Sequence, residues 1–118
     1  MPGARPHYKL VAWLKAIALV KLVYEISSRF PKEELYALTA QIRRAAVSVP
    51  SNIAEGAARS GKREFTQFVN IAKGSLSELE TQLIIAVELG YLEPAHEVFT
   101  VLEQVSRPIT GLHRKLAN

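Results

Sequence analysis

Towards its C-terminal end the chain places Val98, Leu102, Val105, Ile109, Leu112 and Leu116 at alternating spacings of four and three residues. A strand would scatter these six side chains over both of its faces, whereas a helix gathers them into one stripe. The same spacing recurs in three earlier blocks. Leu38, Ile42, Ala45, Val49 and Ile53 form one, and Phe65, Phe68, Ala72, Leu76, Leu79, Leu83 and Ala86 form another. Leu10, Trp13, Ile17, Val20 and Tyr24 form the first. Each helix must cover its apolar stripe, and four of them joined by short connections predict an all-α, antiparallel up-down four-helix bundle.

Proline and glycine punctuate the pattern. Residues 1–7 hold Pro2, Gly3 and Pro6 and read as a flexible N-terminal arm, leaving 8–118 as a single bundle domain. The first helix is expected over 8–28 and is stopped by Phe30 and Pro31, because the residue before proline is pushed out of helical angles. The second runs to about 58 and is expected to kink at Pro50, which cannot donate to the carbonyl of Ala46. Ser60 is a plausible N-cap for a third helix over 62–89. Gly90 would close that helix, Pro94 suits the first turn of the fourth, and Pro108 would bend it.

Composition removes several classes of function. None of the 118 residues is cysteine, so disulfide and thiolate chemistry are excluded and a reducing, cytoplasmic setting is expected. All 11 acids are glutamate, which suits helices. Residues 10–24 are interrupted only by Lys15 and Lys21, yet fall short of the roughly 20 apolar residues that span a bilayer. No membrane partner is expected. A helix apolar on so many sides needs extra cover, and a second copy of the chain is the obvious source. Val47 and Ala54 on the second helix, and Ile84 and Ile85 on the third, point away from their stripes and are candidates for a homo-oligomer interface.

No catalytic, cofactor or metal site is expected. The spacing of Glu93 and His96 is that of a carboxylate-bridged metal pair, but such sites need two pairs and two further carboxylates. The glycines are scattered, and no histidine lies in a motif that would activate a nucleophile. Two polar sets remain. Arg44, Ser48, Ser51 and Glu55 flank the stripe of the second helix, with Asn52 as a further polar candidate, and Glu78 flanks that of the third. A semi-buried Arg44–Glu78 bond, with Ser48 and Asn52 satisfying leftover donors, would fix the register of the two helices, and Gly74 and Ser75 would then mark their close approach. Arg43, Arg59, Lys62 and Arg63 could instead form a basic surface for RNA or DNA at the bend between those helices. Residues 1–63 carry eleven basic residues against four acids, which favours a polyanion partner.

Residues 41–56, reading QIRRAAVSVPSNIAEG, are followed by Phe65, Phe68, the run Ile71, Ala72, Lys73, Gly74 and Ser75, then Glu78 and Leu79, and Leu89 to Leu92. With the opening Phe30, Pro31, Lys32, Glu33 and Glu34, this closely resembles the bacterial four-helix bundle family named for the 23S rRNA intervening-sequence protein. The resemblance implies a ring-like homopentamer without established catalysis or cofactor. It also implies a fold like that of the accessory protein of diversity-generating retroelements, where a basic ring engages nucleic acid and reverse transcriptase. The family's signature positions are Arg43, Arg44, Ser48, Asn52, Glu55, Gly56, Gly74, Ser75 and Glu78 here. Two functions are therefore expected in competition: weak RNA or DNA binding, or a protein-interaction scaffold or accessory subunit that binds no nucleic acid.

Overall fold

A computed structural model describes residues 5–118. It contains four α-helices, α1 (Val11–Ser27), α2 (Leu38–Ala57), α3 (Lys62–Glu88) and α4 (Val98–Ala117), and no strand among the described residues. Each helix packs on its neighbour in sequence, and α1 closes the square against α4. Ser48 opposite Ser75 and Arg44 opposite Glu78 show α2 and α3 to be antiparallel. Arg43 meets Ser27, and Lys62 meets Asn118, so the remaining turns also reverse the chain. The longest dimension, 43 Å, follows α3, whose 27 residues rise about 40 Å.

The expected stripe of α4 holds where the bundle is deepest: Val98, Leu102, Val105 and Ile109 are buried, while Leu112 and Leu116 are half-buried near its end. Ile42, Ala45, Val49 and Ile53 of α2 are fully enclosed, as are Ala72, Leu79, Leu83 and Ala86 of α3. On α1 the expected stripe is rotated. Ala12, Trp13, Ala16, Leu19, Val23 and Ile26 face the core, whereas Ile17 and Tyr24 are exposed and Leu10 and Val20 half-buried. This helix is apolar nearly all round, so spacing alone could draw a stripe on either face. Ala12 and Ala16 lie on the buried side, where they take little space between the neighbouring helices.

Several ends differ from expectation. Of the expected arm, residues 1–4 lie outside the described residues, and Pro6–Lys9 form a 3₁₀ turn. The His7 and Tyr8 rings lie 4.9 and 5.4 Å from that of Trp13, and α1 starts three residues later than the apolar pattern suggested. Gly61, not Ser60, is the N-cap of α3. Pro94 lies in the loop before α4, and the ring of His96 caps that helix by accepting the Val98 N–H at 3.0 Å. Glu93 and His96 therefore do not share a helical face. Pro50 and Pro108 are accommodated inside α2 and α4, each of which remains one helix.

Two contacts fix the ends of the α2–α3 hairpin. At one end Gly56 is buried, and a Cβ there would lie 2.7 Å from Phe68 Cβ and 3.0 Å from Phe65 Cδ1. Gly74, expected to mark the close approach, has open space around it; the approach belongs to Gly56. At the other end Gly90 turns α3 off with φ +80, and the Tyr91 and Gly90 amides donate to the Ala86 and Val87 carbonyls. Tyr91 is thereby laid beside Phe30, at 5.5 Å between ring centroids, and its hydroxyl donates to Glu34 at 2.9 Å. The other Glu34 oxygen accepts the Leu38 amide at 3.4 Å, so one carboxylate ties the start of α2 to the turn after α3.

Helix propensity favours Ala over Gly by about 1 kcal/mol, but overpacking costs about 1–3 kcal/mol. Gly56→Ala should therefore lower the melting temperature, and Gly74→Ala should leave it unchanged or raise it. A stabilised Gly56→Ala variant would refute the close approach. The hydrogen bond to Glu34, then burial and the charges of Glu34 and Glu33, raise the Tyr91 pKa above 10.0. The neutral phenol is the favoured form, so this contact's stabilisation is complete below the ordinary tyrosine pKa and is lost as pH rises through the raised one. Phenolate absorbance should show Tyr91 ionising above the ordinary tyrosine range, and Glu34→Gln should bring it back towards that range.

Candidate nucleic-acid interface

The four basic candidates do not form one surface. Arg43 lies near the start of α2 and Arg59 two residues beyond its end at Ala57, so about 20 Å of helix separates them. Arg43 is half-buried against α1: its Nε donates to Ser27 Oγ at 2.8 Å and its guanidinium lies 4.7 Å from the centre of the Tyr24 ring. Arg59 sits at the α2–α3 turn and pairs with Glu55 at 3.1 Å and Glu64 at 3.7 Å. Its guanidinium also covers the Phe68 ring at 5.0 Å. Much of its charge is answered within the chain. Lys62 donates to the Asn118 carbonyl at 2.8 Å, and Arg63 is exposed with no ion pair among the described residues.

The antiparallel fold brings in cations that the expectation missed. The end of α4 returns beside the start of α3, so an open groove is lined by Lys62, Arg63, Thr66 and Gln67 with residues 116–118. Arg114 and Lys115 occupy the last turn of α4 at this same end. With each helix divided at its midpoint, this half of the bundle carries Arg5, Lys9, Lys15, Arg59, Lys62, Arg63, Lys73, Arg114 and Lys115 against Glu55 and Glu64 alone, a net +7. The opposite half has six basic residues and the other nine glutamates, a net −3. Charge that looked divided between the halves of the sequence is divided between the two ends of the molecule.

The polar set on α2 also separates. Arg44 and Glu78 form an ion pair at 3.6 Å, but their side chains are 67% and 47% exposed, so this is a solvated pair and not a semi-buried lock. The two residues flank their stripes at an angle wide enough to leave both heads in water, and such pairs stabilise by about 0–1 kcal/mol. Glu55 turns to Arg59, four residues on in the α2–α3 turn. The register is held deeper in: Ser48 and Ser75 hydroxyls meet at 2.8 Å, and Asn52 Nδ2 donates to the Ser48 carbonyl at 2.8 Å and hydroxyl at 2.9 Å. Ser75 was visible in the sequence as a polar residue beside the seam of α3, but its partner depends on the register.

Among the described residues no three His, Cys, Asp or Glu side chains come together as metal ligands, and no helix is long and apolar enough to cross a membrane. Val47 and Ala54 line a groove with Trp13, Ile17 and Val20 of α1, whereas Ile84 and Ile85 lie exposed on α3, away from that groove. The candidate interface residues thus belong to two separate patches.

Ser75→Ala should cost about 0.5–1.5 kcal/mol in denaturant unfolding, and the Ser48→Ala, Ser75→Ala double-mutant cycle should show coupling. Arg44→Ala should cost less than either serine change. The reverse order would return the register to the ion pair.

No curated protein matches the chain. Residues 8–111, which include all of α1, α2 and α3 and most of α4, match the family model described as 23S rRNA-intervening sequence protein. With the four-helix architecture and the block over residues 41–56 in place, the chain belongs to the 23S rRNA-intervening sequence protein family.

Proposed function

We propose that this chain is a non-catalytic, self-associating bundle of the bacterial cytoplasm that binds RNA or DNA weakly through its basic end. The net +7 on the half bearing the α2–α3 turn, against −3 on the other, is the observation that carries this reading. Phosphate binding is driven by the release of counterions and needs clustered cations more than a shaped pocket. Lys62, Arg63, Arg114 and Lys115 would supply the contacts, and Thr66 and Gln67 would supply neutral hydrogen-bonding groups between them. Arg59 would contribute less because Glu55 and Glu64 already pair with it, and Arg43 would contribute nothing because it lies near the other end.

Self-association is supported by the outer face of α1 and α2. Val11, Leu14, Ile17 and Val47 are 39–58% exposed, and Ile17 and Val47 share one groove. A five-membered ring is what the family resemblance implies. It would set several basic ends on one side and multiply weak phosphate contacts by avidity. The competing reading, a protein scaffold whose basic residues are simply solvated, is distinguished by salt.

Binding to an RNA duplex and to single-stranded DNA should weaken linearly in log affinity with log salt. The Lys62→Ala, Arg63→Ala, Arg114→Ala, Lys115→Ala variant should lose about one unit of slope for each phosphate contact removed. Arg43→Ala should bind as the parent does. Absence of binding at low salt by a correctly assembled oligomer would leave the scaffold reading. Ile17→Lys with Val47→Lys should reduce the light-scattering mass to that of one chain; an unchanged mass would move the interface to another face, such as that of Ile84 and Ile85.

A further inference from the structure

Arg43 differs from Arg44, Arg59 and Arg107, each of which has a glutamate within ion-pair distance. It is half-buried and has no carboxylate partner among the described residues. A guanidinium stays charged at any pH the fold survives, and here its Nη edge is left open to solvent. Its orientation is nevertheless fixed on two sides. Ser27 Oγ gives its hydrogen to the Val23 carbonyl at 2.7 Å and so presents a lone pair to Arg43 Nε. The Tyr24 ring backs the guanidinium plane. The Nη edge has no hydrogen-bond acceptor among the described residues.

Ser27 and Arg43 line a pocket of about 190 Å³ between the end of α1 and the start of α2. Phe30, Pro31 and Leu35 form its apolar wall, and Ser28, Lys32 and the 3% exposed Thr39 complete it. The volume lies below the roughly 300–1,000 Å³ typical of drug-sized ligands, so the occupant is a small group. Thr39 belongs to the first turn of α2, where the helix dipole favours negative charge. A guanidinium edge donates to two oxygens in one plane, which a carboxylate presents. Phosphate would carry up to two charges against an apolar wall, in the half of the molecule that is net negative.

We infer that the Arg43 pocket is a receptor for a monocarboxylate with a short apolar body, the carboxylate on the Nη edge and the body against Phe30, Pro31 and Leu35. The carboxylate can come from a free small acid or from the C-terminus of a polypeptide ending in an aliphatic residue. This site is independent of the basic end and of any nucleic acid.

The test is a titration of the ¹⁵N-labelled full chain at neutral pH, observing Arg43 Nε–H and the Thr39 amide. Isovalerate, isovaleramide, inorganic phosphate, and a short peptide ending in Val with a free or amidated C-terminus are the probes. Isovalerate should give saturable shifts at both positions, with isovaleramide and phosphate weaker by about tenfold or more. Arg43→Gln should abolish the response while the rest of the spectrum is kept. If Arg43→Gln does not fold, Leu35→Glu, at a site 46% exposed, places a fixed negative charge at the apolar wall and must abolish it instead. A response to the free-ended peptide alone identifies a polypeptide C-terminus as the source. No saturable shift with either carboxylate, equal shifts with isovaleramide, or binding that survives both substitutions would overturn the assignment.

Discussion

The α2 backbone at Gly56 comes so near Phe65 and Phe68 that no side-chain carbon fits between them, and much of the molecule is arranged around that contact. It lets the chain reverse within residues 58–61 and brings α2 and α3 together along their length. The reversal puts Ser48 opposite Ser75, so the half-buried hydroxyl pair and Asn52 are satisfied in one register. A slip of one helical step would leave those polar groups without partners, at a cost of about 1–3 kcal/mol for each one buried. The same reversal sets Arg59 between Glu55 and Glu64 and starts α3 with Lys62 and Arg63 on the surface.

At the opposite end the constraint is polar. Glu34 holds the first amide of α2 with one oxygen and the Tyr91 hydroxyl with the other, and Phe30 packs against the Tyr91 ring. Left-handed Gly90 makes this possible, because it turns the chain sharply enough for Tyr91 to fold back under the end of α3. The bundle is therefore closed by steric fit at one end and by a carboxylate clasp at the other.

The fold class was legible because α2, α3 and α4 each have one apolar face, and a 3.6-residue period on such a helix has a single interpretation. α1 was not legible in the same way: Leu14 and Ile17 are as apolar as Leu19 and Val23, so the pattern does not say which side is buried, and Ala12 and Ala16 lie on the side that is. The candidate site suffered from a different limit. Arg44 and Glu78 could be paired from spacing, but spacing does not report exposure. Arg43 is taken up by Ser27 and Tyr24 across a helix–helix contact whose register the sequence does not display. Arg114 and Lys115 are 52 and 53 residues from Lys62 in the chain and reach its end of the bundle only because α4 runs antiparallel to α3. His96 had the spacing of a metal ligand and serves as a helix cap, a role set by where α4 begins.

The unequal charge of the two ends has a consequence for how the protein meets other molecules. Separated by much of a 43 Å long axis, +7 and −3 give the monomer a large electric dipole along the bundle. In the field of a strand of phosphates, whose reach is about 8 Å at physiological ionic strength, a dipole experiences torque as well as attraction. The bundle would arrive with its axis already turned towards the polymer, so that fewer collisions are spent in unproductive orientations. Dilution of salt lengthens that reach and salt addition shortens it, which makes the rate of encounter a property of the whole bundle and not of any one arginine.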